Sequence, residues 1–339
     1  MLQLLLCACL VFWGGPLQAM SKWKSSDSVE AIGVRTFQYE DNRRHRPVVV
    51  ELWYPIEGDH SIESLSEEVW KHPKESRNAP IAEGAKGLPL ILMSHGHCGD
   101  RRDRSWLAER LVRANFIVAS VDHYGNTRST FNPLLTIKFW DRPRDISFAL
   151  DRLLQEPSLT GRVDPEKIGF AGYSLGGMTG LGIGGGIPEK LEELIAKNKA
   201  KLSDIPEEVL AQIDFKEAGS NLRDPRIRAI LLIAPANFVY SSNALKRIKV
   251  PIGLVSAIND EVLPHHEHSS LIIQHVVPFK LKILRKEISH YAFLNPLSEI
   301  GRKILPAKFC SDPPCCDRAS IHRDVGNFAI EFFREAFRK

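Results

Sequence analysis

The chain has 339 residues, 43% of them apolar and 25% charged, which suits a globular protein with a sizeable core and excludes a disordered polyelectrolyte. Its net charge of +4 is small and scattered, which argues against nucleic acid as a partner. The densest basic cluster, Arg101-Arg102-Asp103-Arg104, reads as a solvated helix face.

Residues 1–19 carry no charged side chain. The apolar run Leu2–Trp13 has the length of a signal peptide and is too short to span a bilayer. Leu17-Gln18-Ala19 fits a small-residue cleavage site, so the expectation is a secreted or periplasmic protein whose mature part, residues 20–339, is a single domain. A lipoprotein signal at Leu6-Cys7-Ala8-Cys9 is the lesser alternative, because it leaves almost no apolar region before it.

Ala31–Tyr39 and Pro47–Tyr54 read as antiparallel lead-in strands, and the polar stretch 57–87, with Pro73 and Pro80, as a long surface loop. From residue 88 onward, strand-length apolar runs alternate with helical patterns. The strands are expected at Leu88–Met93, Phe116–Val121, Ile168–Ala171, Ile227–Ile233, Ile252–Ala257 and Leu281–Glu287. Most are apolar on both parities, as strands covered on both faces of a parallel sheet must be. Helices are expected at Trp106–Ala114, Ile146–Gln155, Leu175–Ile183 and His266–His275. A last helix, Arg323–Arg338, places Val325, Phe328, Ala329, Phe332 and Phe333 on one stripe. The charged insertion 187–222 would lie near the carboxyl ends of the strands, as a small lid or as surface decoration.

Within this pattern Gly172-Tyr173-Ser174-Leu175-Gly176 is G-x-S-x-G between an apolar run and a helix start. A serine hydroxyl attacks poorly unless a sharp strand-to-helix turn exposes it, and glycines on either side leave room for that turn. The competing reading is a plain glycine-rich turn. A serine nucleophile needs a base, and the base an orienting carboxylate. Asp260 lies in the loop after Ile252–Ala257 and His290 just after the last strand, in the order Ser, Asp, His. The competing reading has Asp260 simply cap the following helix, and Glu261 is its nearest competitor as the acid. His265, His266 and His268 read as exposed residues at a helix start, and His322 as structural. The backbone N–H of Leu175, at a helix start, suits a developing oxyanion, and a second donor should come from the loop Ser94–Gly99.

Four cysteines remain after cleavage at Ala19, and among Cys310, Cys315 and Cys316 one bridge could form in an oxidising compartment; Cys98 stands apart. A metal site is not expected, because the second pair of ligands at suitable spacing is missing. Phe131–Leu135 with Phe139-Trp140 could line an acyl pocket or pack in the core.

The segments GVRTFQYEDNRRHRPVVVELWYP (33–55), LPLILMSHGHCG (88–99), NFIVASVDHYGN (115–126), RPRDISFALDRLL (142–154), KIGFAGYSLGG (167–177), SAINDEVLP (256–264) and SHYAFL (289–294) resemble the α/β-hydrolases of the dienelactone hydrolase and platelet-activating-factor acetylhydrolase-like group. The resemblance implies an α/β-hydrolase fold, with a mostly parallel central sheet, helices on both faces and a short helical insertion. It also implies Ser174, Asp260 and His290 as catalytic triad and the N–H groups of His97 and Leu175 as oxyanion hole. Dienelactone hydrolases proper use a cysteine nucleophile; Ser174 in its place favours a serine esterase. The expected activity is hydrolysis of short-chain or lipid-derived carboxylic esters without metal or cofactor, with transient contact to a membrane surface. Alternatives are a thioesterase, amidase or lipase of the same fold, or an inactive binding protein.

Overall fold

Alternating burial along the strands determines how the layers stack. The computed structural model describes residues 31–58, 69–189, 215–276, 279–285, 287–310, 312–313 and 316–338, with isolated positions between 191 and 213. The expected signal segment, most of the 187–222 insertion, Cys315 and the side chain of Cys310 lie outside the described residues.

β1 (Ala31–Asp41) and β2 (Arg46–Ile56) form the expected antiparallel hairpin. They are followed by β3 (Ser76–Arg77), β4 (Leu88–Ser94), β5 (Ile117–Asp122), β6 (Val163–Tyr173), β7 (Ile227–Ile233), β8 (Ile252–Ala257) and β9 (Phe279–Leu284). The sheet order is β3-β1-β2-β5-β4-β6-β7-β8-β9. Strands β4 to β9 run parallel, and β2 joins β5 antiparallel. The helices are α1 (Ser105–Arg113), α2 (Pro133–Ile137), α3 (Asp141–Gln155), α4 (Leu175–Ile183), α5 (Ser242–Lys246), α6 (Ser269–His275), α7 (Glu299–Ile304), α8 (Ala307–Cys310) and α9 (Arg318–Ala336).

Successive strand residues face opposite layers. Leu90 and Leu92 belong with α3 and α4 on one face, through Ile146, Leu150, Met178 and Leu181. Ile91 and Met93 belong with α1 and α9 on the other, through Trp106, Leu111, Val325 and Phe333. The whole stripe expected on the last helix is buried. Burying one such side chain contributes about 1.5–3 kcal/mol, so these faces dominate the stability.

Two expectations fail. The stretch 57–87 is not a loop throughout: β3 pairs parallel with β1, and Val69, Trp70, Ala79 and Ala85 are buried. Its anchors are polar contacts from β2. Trp53 donates its indole N–H to Glu75 at 3.0 Å, and the Tyr54 hydroxyl donates to the Ala79 carbonyl at 2.7 Å. Nor is Arg101–Arg104 a solvated helix face. It is a turn before α1 in which Arg102, Asp103 and Arg104 are buried. Glu51, buried on β2, accepts from Arg77, Arg101 and Arg102 at 3.0, 2.9 and 3.1 Å. Burial raises the Glu51 pKa, but Arg102, Arg101 and Arg77 outweigh it and leave the carboxyl below its usual range.

Candidate active site

β6 ends at Tyr173, and the chain reverses at Ser174 into α4 with φ 54° and ψ −119°. A non-glycine residue at positive φ is strained, and it persists here because the neighbours enforce it. The Ser174 N–H donates to Ile233 O at 3.0 Å, and its carbonyl accepts from Gly177 N and Ala236 N, both at 2.9 Å. Gly172 and Gly176 are required by close approach. A Cβ on Gly172 would run into the Gly176 carbonyl, and one on Gly176 into the Ser94 carbonyl.

The residues singled out in the sequence come together. Ser174 Oγ lies 3.0 Å from His290 Nε2, and His290 Nδ1 lies 2.7 Å from Asp260 Oδ2. All three are buried, with Ser174 the most accessible at 9%. His290 opens a 3-10 turn after β9, and Asp260 sits in the turn after β8. Asp260 does not cap the following helix, which begins at Ser269 with His268 before it; it closes its own turn and faces the imidazole. Its Oδ1 accepts from Val262 N at 2.9 Å and Leu263 N at 2.7 Å, which leaves Oδ2 for His290. Glu261 does not reach the imidazole; it accepts from the His290 backbone N–H at 3.0 Å and from Ser289 Oγ at 2.8 Å. With a carboxylate on Nδ1, the neutral His290 ring presents Nε2 as an acceptor for the Ser174 proton.

Tyr173 backs this arrangement. Its ring stacks on His290 with centroids 5.0 Å apart, and its hydroxyl donates to the His290 carbonyl at 2.9 Å. Burial raises its pKa well above the usual value, so it stays a neutral donor.

The loop after β4 packs directly on the nucleophile: a Cβ on Gly96 would lie 3.2 Å from Ser174 Cβ. Among the described residues, no acceptor takes the N–H of Leu175 or of His97. Both donors expected for an oxyanion are thus uncommitted. His266 is exposed as expected, His265 is half-buried with its Nδ1 2.8 Å from Ser256 Oγ, and His268 is buried, with its Nδ1 accepting from Asn237 N at 3.2 Å. The reason is that α6 begins three residues later than expected, so His268 precedes it and turns inward. His322 is structural: it stacks on Trp106 with centroids 4.1 Å apart and donates through Nε2 to Ala292 O at 3.0 Å. Cys98 is a free thiol beside His97, and no group of metal-ligating side chains occurs among the described residues.

A second Ser-His-Asp series escaped the sequence reading. Ser94 Oγ lies 2.8 Å from His123 Nε2, and His123 Nδ1 lies 3.0 Å from Asp145 Oδ2. All three are fully buried, and Asp145 is also bound by Arg44 and Arg46. No substrate reaches this serine, so the series is structural. Burial and Arg142 push the His95 and His123 pKa values well below the usual range, so both rings are neutral. One signal was available: Arg142 falls on the stripe of α3 that carries Ile146, Ala149, Leu150 and Leu153, where a charge is out of place.

No protein-family profile matches the sequence, and no curated protein matches it. Among solved structures, a ferulic acid esterase from Streptomyces cinnamoneus superposes with a TM-score of 0.61 over 90% of this chain and 89% of its own, at 18% sequence identity. At that identity the likeness is one of architecture, and it agrees with the sheet order and the strand-turn-helix at Ser174: the chain has the α/β-hydrolase fold.

Proposed function

We propose that this protein is a serine ester hydrolase acting on carboxylic esters, in keeping with the resemblance of its motifs to the dienelactone hydrolase and platelet-activating-factor acetylhydrolase-like group. The observation that carries the reading is the hydrogen-bonded series Ser174–His290–Asp260, with the serine held at positive φ at the carboxyl edge of the sheet. The likeness to an esterase supports it.

In this mechanism Ser174 Oγ attacks the ester carbonyl carbon while His290 Nε2 takes the hydroxyl proton. Asp260 keeps the ring in the correct tautomer and stabilises the imidazolium. The N–H groups of Leu175 and His97 meet the oxyanion, where each such donor contributes about 3–4 kcal/mol in a dry site. His290 then protonates the leaving alcohol. Water, deprotonated by the same nitrogen, attacks the acyl-enzyme and releases the acid. Every step uses groups of the chain itself, with no cofactor.

The acyl side of the substrate is short in this reading. Of the aromatic stretch 131–140, Trp140 is buried, and Leu134 and Phe139 pack against the same core. Of its aromatic side chains Phe131 is the exposed one, edge-on to His97 with centroids 5.9 Å apart. The N-terminal apolar run supports export, for which N-terminal sequencing of the exported protein should begin near Met20; an intact Met1 on cytosolic protein overturns that part.

The test is labelling with a fluorophosphonate probe. Wild-type protein should be labelled at Ser174 and should hydrolyse 4-nitrophenyl acetate. Ser174→Ala should lose both, with kcat falling by about a thousandfold or more and the melting temperature retained. An unlabelled wild type, or a Ser174→Ala variant of near-normal turnover, overturns the reading.

A further inference from the structure

Arg142, on α3, is buried, and its guanidinium is committed to four groups outside its own helix. Nε donates to Thr179 Oγ1 of α4 at 3.0 Å, and one terminal nitrogen to Asn126 Oδ1 at 2.8 Å. The other donates to Ser94 Oγ at 3.3 Å and to the His95 carbonyl oxygen. Asp145, one turn along α3, belongs to the Ser94–His123 series and supplies a buried negative charge beside this cation.

These bonds propagate without ambiguity, because a guanidinium has donors only. The Asn126 carbonyl oxygen must face Arg142, so its amide nitrogen faces His97 Nδ1 at 3.1 Å and Thr136 Oγ1 at 3.0 Å. His97 Nδ1 therefore accepts, and the neutral ring carries its proton on Nε2. His95 is fixed in the same way. Its Nε2 accepts from the His123 backbone N–H at 3.0 Å, so its Nδ1–H donates to the Gly96 carbonyl at 2.7 Å. That carbonyl belongs to the same planar unit as the His97 N–H, so fixing one aims the other. Arg142 thus holds the His95 carbonyl, and the His95 ring holds the next peptide.

We propose that Arg142 is a positioning residue of the oxyanion hole: through His95 and Asn126 it sets the plane of the Gly96–His97 peptide so that the His97 N–H meets the oxyanion. The proposal rests on the ester-hydrolase reading above. It accounts for an arginine rather than a lysine, since only the planar fork can reach acceptors in β4, the loop after β5 and α4 together. It also accounts for the buried Ser94–His123–Asp145 series, which holds the Ser94–His95 end of the loop without touching substrate.

The test compares wild type with Arg142→Lys, Asn126→Ala and Tyr54→Phe. Arg142→Lys keeps the charge and loses the fork. Its kcat should fall about 10- to 100-fold with KM within about twofold, below the full loss of an oxyanion donor because the peptide is misaimed rather than removed. The inhibition constant of an alkylboronic acid, which forms the tetrahedral adduct on the serine, should rise by the same factor as kcat/KM falls. Asn126→Ala, which leaves the guanidinium in place, should show a smaller loss of the same kind and keeps the test open if Arg142→Lys does not fold. Tyr54→Phe removes a buried hydrogen bond to the Ala79 carbonyl outside this network and should lower the melting temperature while holding kcat within about threefold of wild type. An Arg142→Lys enzyme of undiminished kcat, a loss confined to KM, or losses that track melting temperature across all three variants would overturn the proposal. Fluorophosphonate labelling separates the two levels. An unlabelled wild type overturns the hydrolase reading, whereas a labelled, active wild type beside an equally active Arg142→Lys overturns only the role of Arg142.

Discussion

Glu261 binds His290 by its main chain: the carboxylate accepts the backbone N–H at 3.0 Å, while the neighbouring Asp260 takes the ring at 2.7 Å. Two consecutive carboxylates therefore serve one histidine in different ways, one placing the turn and the other fixing the tautomer.

Substitution should separate them. Asp260→Asn should lower kcat by about ten-thousandfold while leaving the fold in place, because an amide on Nδ1 favours the wrong tautomer. Glu261→Gln should cost no more than about tenfold, since its amide oxygen can still accept one of the two bonds. Steady-state kinetics on one ester decides it, and equal losses would show that the two carboxylates share the orienting role.

Acid should destabilise the protein through buried histidines. Burial, the largest cause, pushes the His322 pKa from 6.5 down to about 4. The unfolded chain thus binds a proton that the folded one refuses, so stability is fully present above pH 6.5 and falls as the pH drops toward 4. The shift corresponds to roughly 3 kcal/mol at pH 4 and below. His95 and His123 act in the same direction. Asp103, whose pKa burial pushes up to about 7, acts in the opposite direction between its unfolded and folded values. The comparison is therefore urea unfolding of wild type and His322→Gln from pH 7.5 to 4.5, in which the other groups cancel. Wild type should lose more stability than the variant, and parallel curves would remove His322 from the account.

Gly176→Ala should destabilise by about 1–3 kcal/mol and slow turnover, because the added methyl must displace the Ser94 carbonyl and with it the oxyanion loop. Gly84→Ala is the control, since a Cβ there meets nothing within 4 Å. Equal melting temperatures for the two variants would mean that the turn relaxes around the methyl.

Across 4-nitrophenyl esters from acetate to palmitate, kcat/KM should be greatest at short chains. Each methylene can shift it by about 1–3 kcal/mol at most. A maximum at long chains, or a jump above the micellar threshold, would assign residues 187–222 to an interfacial lid.

Local patterns revealed what depends on neighbours in sequence. The strands β7 and β8 are apolar on both parities and fall where expected, and Ser174, Asp260 and His290 each follow a strand that could be read. Long-range pairing stayed hidden. Glu51 and Arg102 lie 51 residues apart, so the cluster at 101–104 looked like a solvated surface rather than one half of a buried ion-pair network. His268 turned inward because a helix start moved by three residues, a shift that no periodicity over so short a helix can register.

The backbone of Ser174 is hydrogen bonded to Ile233 and to Ala236, on either side of the turn after β7. That turn and the nucleophile therefore share one rigid frame, and main-chain remodelling between Ile233 and Ala236 would carry the reactive oxygen with it. Side chains beyond it are under no such constraint. Phe238, two residues on and 52% exposed, can be exchanged without disturbing the frame. New substrate preferences, whether arising by drift or in the laboratory, have room at such outward side chains and very little in the backbone that carries them.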